Sequence, residues 1–289
     1  MGATVMRAPV LRERIRDDDL LVTPEIYDAL SARIAADVGF EAAILGGFAA
    51  SSTLGLPEPV LTMSEMRDHA HAVTYATDLP FVVDGATGFG NAAHTYRSVR
   101  EFARAGVAGV FIEDQVAPSR LNYTGTPLEL VSVEEMEAKV RAAVRARDEG
   151  DDIVILAKTQ AATKDRREYE TIEDAVSRLN RYFEAGAELG CLYPRTEADA
   201  RYAVEHAAGP LKFAVVPGKP FQPSFEAVAD LGYAVANAPT ATTIAAVKHV
   251  KNYYETLYDT GGFTVDGADI DVGKSYVKDL LFDRYDRYE

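Results

Sequence analysis

The chain has 289 residues, 47% of them apolar, and 30 Lys and Arg against 45 Asp and Glu give a formal charge of −15. That balance opposes non-specific contact with nucleic acid or an anionic membrane, while the apolar share is ample for a full core. The single cysteine, Cys191, excludes an intramolecular disulfide and a cysteine-rich zinc site; the Arg- and Asp-rich N-terminus shows no signal-peptide core and no apolar run approaches bilayer-spanning length, so a cytoplasmic protein is expected.

After a charged helical segment over Leu11–Asp17, short apolar runs alternate with helix-like stretches almost to the end. Strands are predicted at Leu20–Val22, Ala42–Leu45, Phe81–Val83, Val107–Ile112, Ile153–Ala157, Leu189–Leu192, Leu211–Val216 and Tyr233–Ala236. Helices are predicted around Ile26–Val38, Ser64–Tyr75, Ala92–Ala105, Ser132–Arg147, Ile172–Ala185, Glu197–Ala207, Phe225–Leu231 and Thr240–Tyr258. The strands are continuous apolar runs, as expected when both faces are buried. Ser64, Ser132 (with Glu135) and Thr240 read as helix caps, and Gly39, Gly106, Gly186 and Gly232 as left-handed helix ends. Eight βα units in one chain fit an α/β fold of the (β/α)8, TIM-type barrel class, taken as a single domain over 1–289. An open doubly wound sheet is the alternative, but no dinucleotide fingerprint follows the first strand. The connections 46–59 and 114–131 are long and are expected to be lids. Within the tail, 259–289, Val272–Tyr285 reads as an extra amphipathic helix that must dock on its own barrel or on a neighbour's.

The chemistry concentrates between Phe81 and Asn122. Two apolar runs there end in acid, at Asp84 and at Glu113–Asp114, with a turn containing Gly85, Gly88 and Gly90 between them. Side chains at the C-terminal ends of parallel strands converge on one crevice. Two carboxylates are costly to hold together there unless a cation, a proton or a substrate lies between them; the plainer alternative is that both cap turns or helices. Lys158, ending the fifth strand beside these acids, suits charge stabilisation or proton transfer. His69, His71, His206 and His249 fall in predicted helices and read as packing or surface residues, and a structural role is also favoured for His94.

Four pieces carry a resemblance: Tyr27-Asp28-Ala29-Leu30-Ser31-Ala32, Ala50-Ser51-Ser52-Thr53-Leu54-Gly55-Leu56-Pro57-Glu58, Thr87-Gly88-Phe89-Gly90-Asn91-Ala92 and Ile112-Glu113-Asp114-Gln115. With them the chain resembles the isocitrate lyase/phosphoenolpyruvate mutase superfamily over nearly its whole length. The resemblance implies a (β/α)8 barrel that exchanges its C-terminal helix between subunits of a homodimer or homotetramer. It implies Mg²⁺, and a small anionic 2-oxo acid or phosphorylated enol whose C–C or P–C bond is made or broken. It places substrate oxygens on the amides of Gly46, Gly47 and Phe48, a direct metal ligand at Asp84, and water-mediated ones at Glu58 and Glu113. The departures are equally specific. The family's Asp-x-Asp is Asp84-Gly85-Ala86, and its Arg-Thr-Asp or Arg-Thr-Glu is Lys158-Thr159-Gln160. A strand-six Glu or His becomes Tyr193, an Asn near strand seven becomes Val215, and a nearby Glu becomes Gly218. The lyases' Lys-Arg-Cys-Gly-His is replaced by Ser119-Arg120-Leu121-Asn122-Tyr123, and the missing Cys excludes ordinary isocitrate or methylisocitrate lyase chemistry. Cys191 lies inside a predicted strand and does not replace that Cys. Asn122 is either the counterpart of a phosphomutase Asn, after a one-residue shift, or a turn residue. The resemblance therefore implies an enzyme nearest the phosphoenolpyruvate phosphomutase branch, with Asp84, Glu113, Lys158, Asn122 and Tyr193 catalytic and Mg²⁺ bound weakly or only with substrate. The alternatives are a metal-independent C–C lyase using Lys158 and Tyr193 as acid and base, or an inactive barrel serving as a ligand-binding or assembly subunit.

Overall fold

The computed structural model describes residues 7–117, 128–162, 171–216, 218–219, 221–262 and 267–282. In chain order its elements are α1 (Arg7–Arg16), β1 (Leu21–Val22), β2 (Glu25–Ile26), α2 (Ala29–Val38), β3 (Ala43–Leu45), α3 (Gly47–Leu54), a 3-10 turn (Glu58–Val60), α4 (Met63–Ala76), β4 (Phe81–Asp84), α5 (Ala92–Arg104) and β5 (Gly109–Glu113). There follow α6 (Val133–Asp148), β6 (Val154–Lys158), α7 (Ile172–Glu184), β7 (Leu189–Cys191), α8 (Glu197–His206), β8 (Leu211–Ala214), α9 (Phe225–Asp230), β9 (Val235–Asn237), α10 (Ala241–Thr260) and α11 (Gly267–Phe282).

Every pairing between these described strands is parallel, in the order β1-β9-β8-β7-β6-β5-β4-β3-β2. β1 and β2 are the two halves of one strand, parted at Thr23–Pro24, and they grip opposite neighbours: Leu21 registers with Val235, and Glu25 with Ile44. Proline has no N–H to give a ladder, so the break falls where its carbonyl alone bonds, to the Ile44 amide. The ring closes through this strand, as a (β/α)8 barrel.

Two apolar compartments hold it. The larger packs strands against the surrounding helices, with Phe81, Phe102, Met136, Tyr182 and Phe213 nearly or fully buried. The second is the barrel lumen, filled by Ile44, Val82, Phe111, Leu156, Leu189, Cys191 and Val235, and plugged at its N-terminal end by Ala8, Leu11 and Ile15 of α1. The fit there is close: a Cβ on Gly109 would lie 3.1 Å from Leu11 and Leu156 side chains, so a larger residue would push the plug out.

Several local expectations change. Connection 46–59 is not an open loop but carries α3, whose Ser51 and Thr53 hydroxyls turn back onto the carbonyls of Phe48 and Ala50 and whose end is closed by left-handed Gly55. α4 is capped by Thr62 rather than Ser64, in a reciprocal box with Glu65. Thr240 does not cap α10: it takes a left-handed conformation (φ 66°) and its hydroxyl donates to Pro239 O. Gly39, Gly106, Gly186 and Gly232 do take positive φ after their helices. Of the connection 114–131, residues 118–127 lie outside the described residues; its base is closed by an antiparallel bridge between Gln115 and Leu130. The extra C-terminal helix is present as α11, and Tyr276 on it donates to Asp37 at the end of α2 (2.9 Å). Residues 283–285 of the expected helix lie outside the described residues. Among the described residues no helix is long and apolar enough to cross a membrane.

Candidate active site

A cavity of about 350 Å³ opens at the C-terminal end of the barrel. The strand ends bring Asp84, Glu113, Lys158 and Tyr193 to it, α3 brings Gly46, Gly47 and Phe48, and the 3-10 turn brings Glu58. Asn122 lies outside the described residues. Val215 packs in the outer core, while its neighbour Val216 faces the cavity; Gly218 takes positive φ just before Lys219, which also lines it.

Glu113 is the most tightly held of these groups. It registers directly across from Lys158, whose Nζ lies 2.6 Å from Glu113 Oε2. Gln160 Nε2 donates to the same oxygen at 3.0 Å and Gln115 Nε2 to the other at 2.6 Å. The glutamine standing where an acid is usual is thus a donor that binds Glu113. Burial lowers the Lys158 pKa, but the charges of Glu113, Tyr193 and Asp84 and the hydrogen bond to Glu113 together outweigh it and hold the ammonium well above its ordinary value. Lys158 is a fixed positive charge rather than a base at neutral pH. Burial pushes the Tyr193 phenol up, against the pull of Lys158, so it remains a neutral hydroxyl able to donate. Next to Lys158, buried Asp114 accepts from Thr159 Oγ1 (2.6 Å), the Gln160 amide (2.9 Å) and Tyr182 OH (2.9 Å), which fixes the strand end.

Asp84 begins the glycine-rich turn and its Oδ1 accepts from the Ala86 amide at 2.8 Å. Gly85 passes so close to β5 that a Cβ would sit 2.4 Å from Phe111 O. Ala86 and Phe89, neither a glycine, are both left-handed (φ 47° and 57°), so the turn is strained. Buried Lys139 on α6 pins it by donating to Thr87 O at 3.1 Å.

Gly46 is the N-cap of α3 and Gly47 and Phe48 its first residues, whose amides have no acceptor within the helix. Amides at this end favour anions. Glu58 lies against them: a Cβ on Gly47 would fall 2.4 Å from its Oε1. Burial first, then the charge of Asp84, with smaller contributions from Glu113 and Glu25, pushes Glu58 up to about 8 despite Lys158.

Three groups escaped the sequence reading. Glu25, at the end of β2, lines the cavity and accepts from Thr243 Oγ1 at 3.0 Å; burial raises its pKa, partly offset by the Thr240 and Thr243 amides at the start of α10. Lys212 projects into the lumen beneath the site, its Nζ 5.3 Å from the Phe111 ring centroid, and burial lowers its pKa. The buried Oδ1 of Asn237, ending β9, has no hydrogen-bond partner. No periodicity marks these; only Glu25 carried a signal, the Thr23–Pro24 break that starts a new half-strand. The histidines stay apart: His69 meets Tyr27 O, His206 stacks on Tyr202, and exposed His94 meets Asn91.

Four carboxylates, Glu25, Glu58, Asp84 and Glu113, therefore face one cavity with Lys158 already committed to Glu113. This oxygen-only, acid-rich donor set fits a hard cation such as Mg²⁺, for which Asp84 and Glu58 would be the holders. Among the described residues no three His, Cys, Asp or Glu side chains converge closely enough to hold an ion alone. The fit is to an ion that keeps waters and takes oxygens from substrate.

Acids, a lysine and a helix N-terminus thus gather at the C-terminal mouth of a (β/α)8 barrel, the face where enzymes of this fold carry their chemistry. The chain belongs to the phosphoenolpyruvate phosphomutase family, whose model matches residues 11–258, and with it to the isocitrate lyase/phosphoenolpyruvate mutase superfamily. It is 40% identical over 190 residues to an oxaloacetate decarboxylase of Paraburkholderia xenovorans (strain LB400), a match spanning 65% of this chain and 61% of that protein. It is 34% identical over 255 residues to 2,3-dimethylmalate lyase of Eubacterium barkeri, 86% of each chain. A structure of oxaloacetate acetylhydrolase with the inhibitor 3,3-difluorooxalacetate superimposes with TM-score 0.86 at 28% identity, covering 96% of this chain and 94% of that one. These relatives weigh toward C–C lyases rather than toward the phosphomutase branch.

Proposed function

We propose that the protein cleaves a C–C bond in a small dicarboxylic acid of the oxaloacetate or malate type. The observation that carries this reading is that the α3 N-terminus and the Lys158 ammonium, from separate elements, line one cavity. These suit an anion with a carboxylate at each end. A phosphoryl group, with more negative charge, is poorly matched to a wall holding four acids. The named relatives support the same choice.

In this reading the amides of Gly46, Gly47 and Phe48 hold the 2-oxo acid end and Lys158 orients the other. With a 2-oxo substrate the C–C bond to the leaving carboxylate breaks, CO2 departs, and the bonding pair remains as an enolate. One proton on carbon then completes the product, and the neutral Tyr193 phenol is the donor nearest in chemistry to that task. Mg²⁺, when bound, supplies Lewis-acid stabilisation of the enolate oxygen. Pinning of the Lys158–Glu113 pair by Gln115 and Gln160 keeps the cation in place without reorganisation.

The test is turnover of oxaloacetate and of 2,3-dimethylmalate with Mg²⁺, followed by loss of the substrate and appearance of the 2-oxo acid, pyruvate with CO2 from the first and pyruvate with propionate from the second. Lys158→Met and Asp84→Asn should each lower kcat/KM by roughly 10²–10³-fold, the scale of losing one preorganised electrostatic partner. Interconversion of phosphoenolpyruvate and phosphonopyruvate, without C–C cleavage, would instead establish the phosphomutase branch.

A further inference from the structure

The first cavity meets a second one, of about 600 Å³, at Glu58, Asp84 and Glu113, and the second runs on toward the glycine-rich turn and the start of α4. Glu25, Pro239 and Thr240 line the first cavity alone. Among the four acids Glu25 therefore stands apart from that junction, and no step of the cleavage uses it.

The sheet fixes its backbone. β2 registers with β3 through Glu25–Ile44 and Ile26–Leu45, and β3 runs directly into Gly46. The Glu25 side chain, only 4% exposed, lies between two helix starts. Its Oε1 stands against Gly46, the N-cap of α3, so closely that a Cβ there would come within 3.1 Å of it. Its Oε2 accepts from Thr243 Oγ1 at 3.0 Å, and the Thr240 and Thr243 amides also donate to the carboxyl. Thr240 is left-handed (φ 66°), a conformation that a β-branched residue keeps only where its surroundings enforce it. Glu25 bonds both ends of that first turn. One carboxyl from a third element thus ties the start of α10 to the start of α3, whose Gly46, Gly47 and Phe48 line the cavity. By charge alone an acid beside amides that hold a carboxylate weakens binding, so it helps only where position outweighs repulsion.

We propose that Glu25 is a positioning residue whose carboxyl, bonded to the start of α10, sets the place of the α3 start and of the amides it presents to the cavity. The consequence for substrate rests on the reading that those amides anchor a carboxylate, and it is tested by binding rather than turnover. The probe is malonate, an inert diacid, titrated calorimetrically into the full chain with Mg²⁺. Glu25→Gln and Glu25→Ala both remove the charge, so the difference between them reports position. The Gln variant keeps the length and an oxygen to accept from Thr243, and should bind malonate at least as tightly as the parent. The Ala variant should bind it about tenfold or more weakly than the Gln variant. Glu25→Ala leaves out the atoms of one acetate ion. Sodium acetate, against sodium chloride at equal ionic strength, should raise the malonate affinity of the Ala variant by about threefold or more, whereas in the parent it can only compete. Thr243→Val loosens the same carboxyl without touching its charge and should weaken malonate binding by about threefold; it decides the matter if thermal melts show that the Ala variant does not fold.

Equal malonate affinity of the Gln and Ala variants overturns the proposal. So does an Ala variant that binds more tightly than the parent, the result expected of a merely repelling charge. Amide hydrogen exchange reads the same positioning without ligand: it should be faster over α3 and the first turn of α10 in the Ala than in the Gln variant, and slower again with acetate. Exchange that is the same in both variants overturns the proposal too. If exchange responds in this way but no protein binds malonate, the positioning stands and the anchoring reading falls. If malonate binding responds but oxaloacetate and 2,3-dimethylmalate are not turned over, only the cleavage reading falls.

Discussion

Glu58 stands where the two cavities meet, and its carboxyl is pushed up to about 8 by burial and then by Asp84. Between its unfolded value near 4.5 and about 8, the folded chain keeps a proton that the unfolded chain has released. Stability therefore falls as pH rises through that window and levels off above it. Glu58→Gln should flatten this slope, matching the parent near pH 4 and exceeding it at pH 9 by about 1–3 kcal/mol in urea unfolding; parallel curves for the two proteins would refute it. Lys212 has the opposite sign. Its lowered pKa means that the folded state gives up the proton first, so the cost of its charge is greatest at neutral pH and disappears above the unfolded value. Lys212→Met, which keeps the length and removes the buried charge, should stabilise the chain by about 1 kcal/mol or more at pH 7 and by less at pH 10. Neither residue announces itself in sequence. Glu58 was found only through its resemblance to a family position, and Lys212, flanked by Leu211 and Phe213, looks like an outward-facing polar position in a strand.

The strands were legible because burial on both faces leaves unbroken apolar runs, and Asp84, Glu113 and Lys158 were legible because each ends such a run. α3 was not, since Gly46-Gly47 and Ser51-Ser52 carry the punctuation of a loop; in fact the glycines are required by contact with Glu25 and Glu58, and the serines sit in helix. The cap of α10 shows why local reading fails at such points. The hydroxyl expected to do it turns away, and an acid on β2 reaches Thr243, 218 positions distant in sequence, in its place. Gly47→Ala tests the role of the α3 terminus. The methyl would fall 2.4 Å from Glu58 Oε1, forcing the carboxyl across the amides. Malonate affinity should drop about tenfold or more while the melting temperature changes little, because the contact is with a movable side chain. Unchanged malonate affinity would remove this terminus from the binding site.

At the scale of the whole molecule, α10 and α11 are the least covered elements. Ile244, Val247, Val250 and Tyr254 on α10, and Val277, Leu281 and Phe282 on α11, are all at least 36% exposed, a run of apolar surface of the kind that partner subunits cover. A homo-oligomer in which these helices pack on a second copy is expected, and a chain ending before Asp259 should sediment as a smaller or aggregating species. If that truncated chain keeps the parent's oligomeric mass, association lies elsewhere.

The lumen has one further consequence. Cys191, the chain's single thiol, is wholly buried between the α1 plug below and the acids above. A labelling reagent can reach it only when the ring of strands parts, because the plug, the lumen side chains and both flanking strands shield it at once. The rate at which a maleimide reacts with native protein therefore clocks barrel opening itself, without added probes or engineered sites. Ligand in either cavity, or a loosened plug, becomes measurable as a slower or faster tick of that one clock.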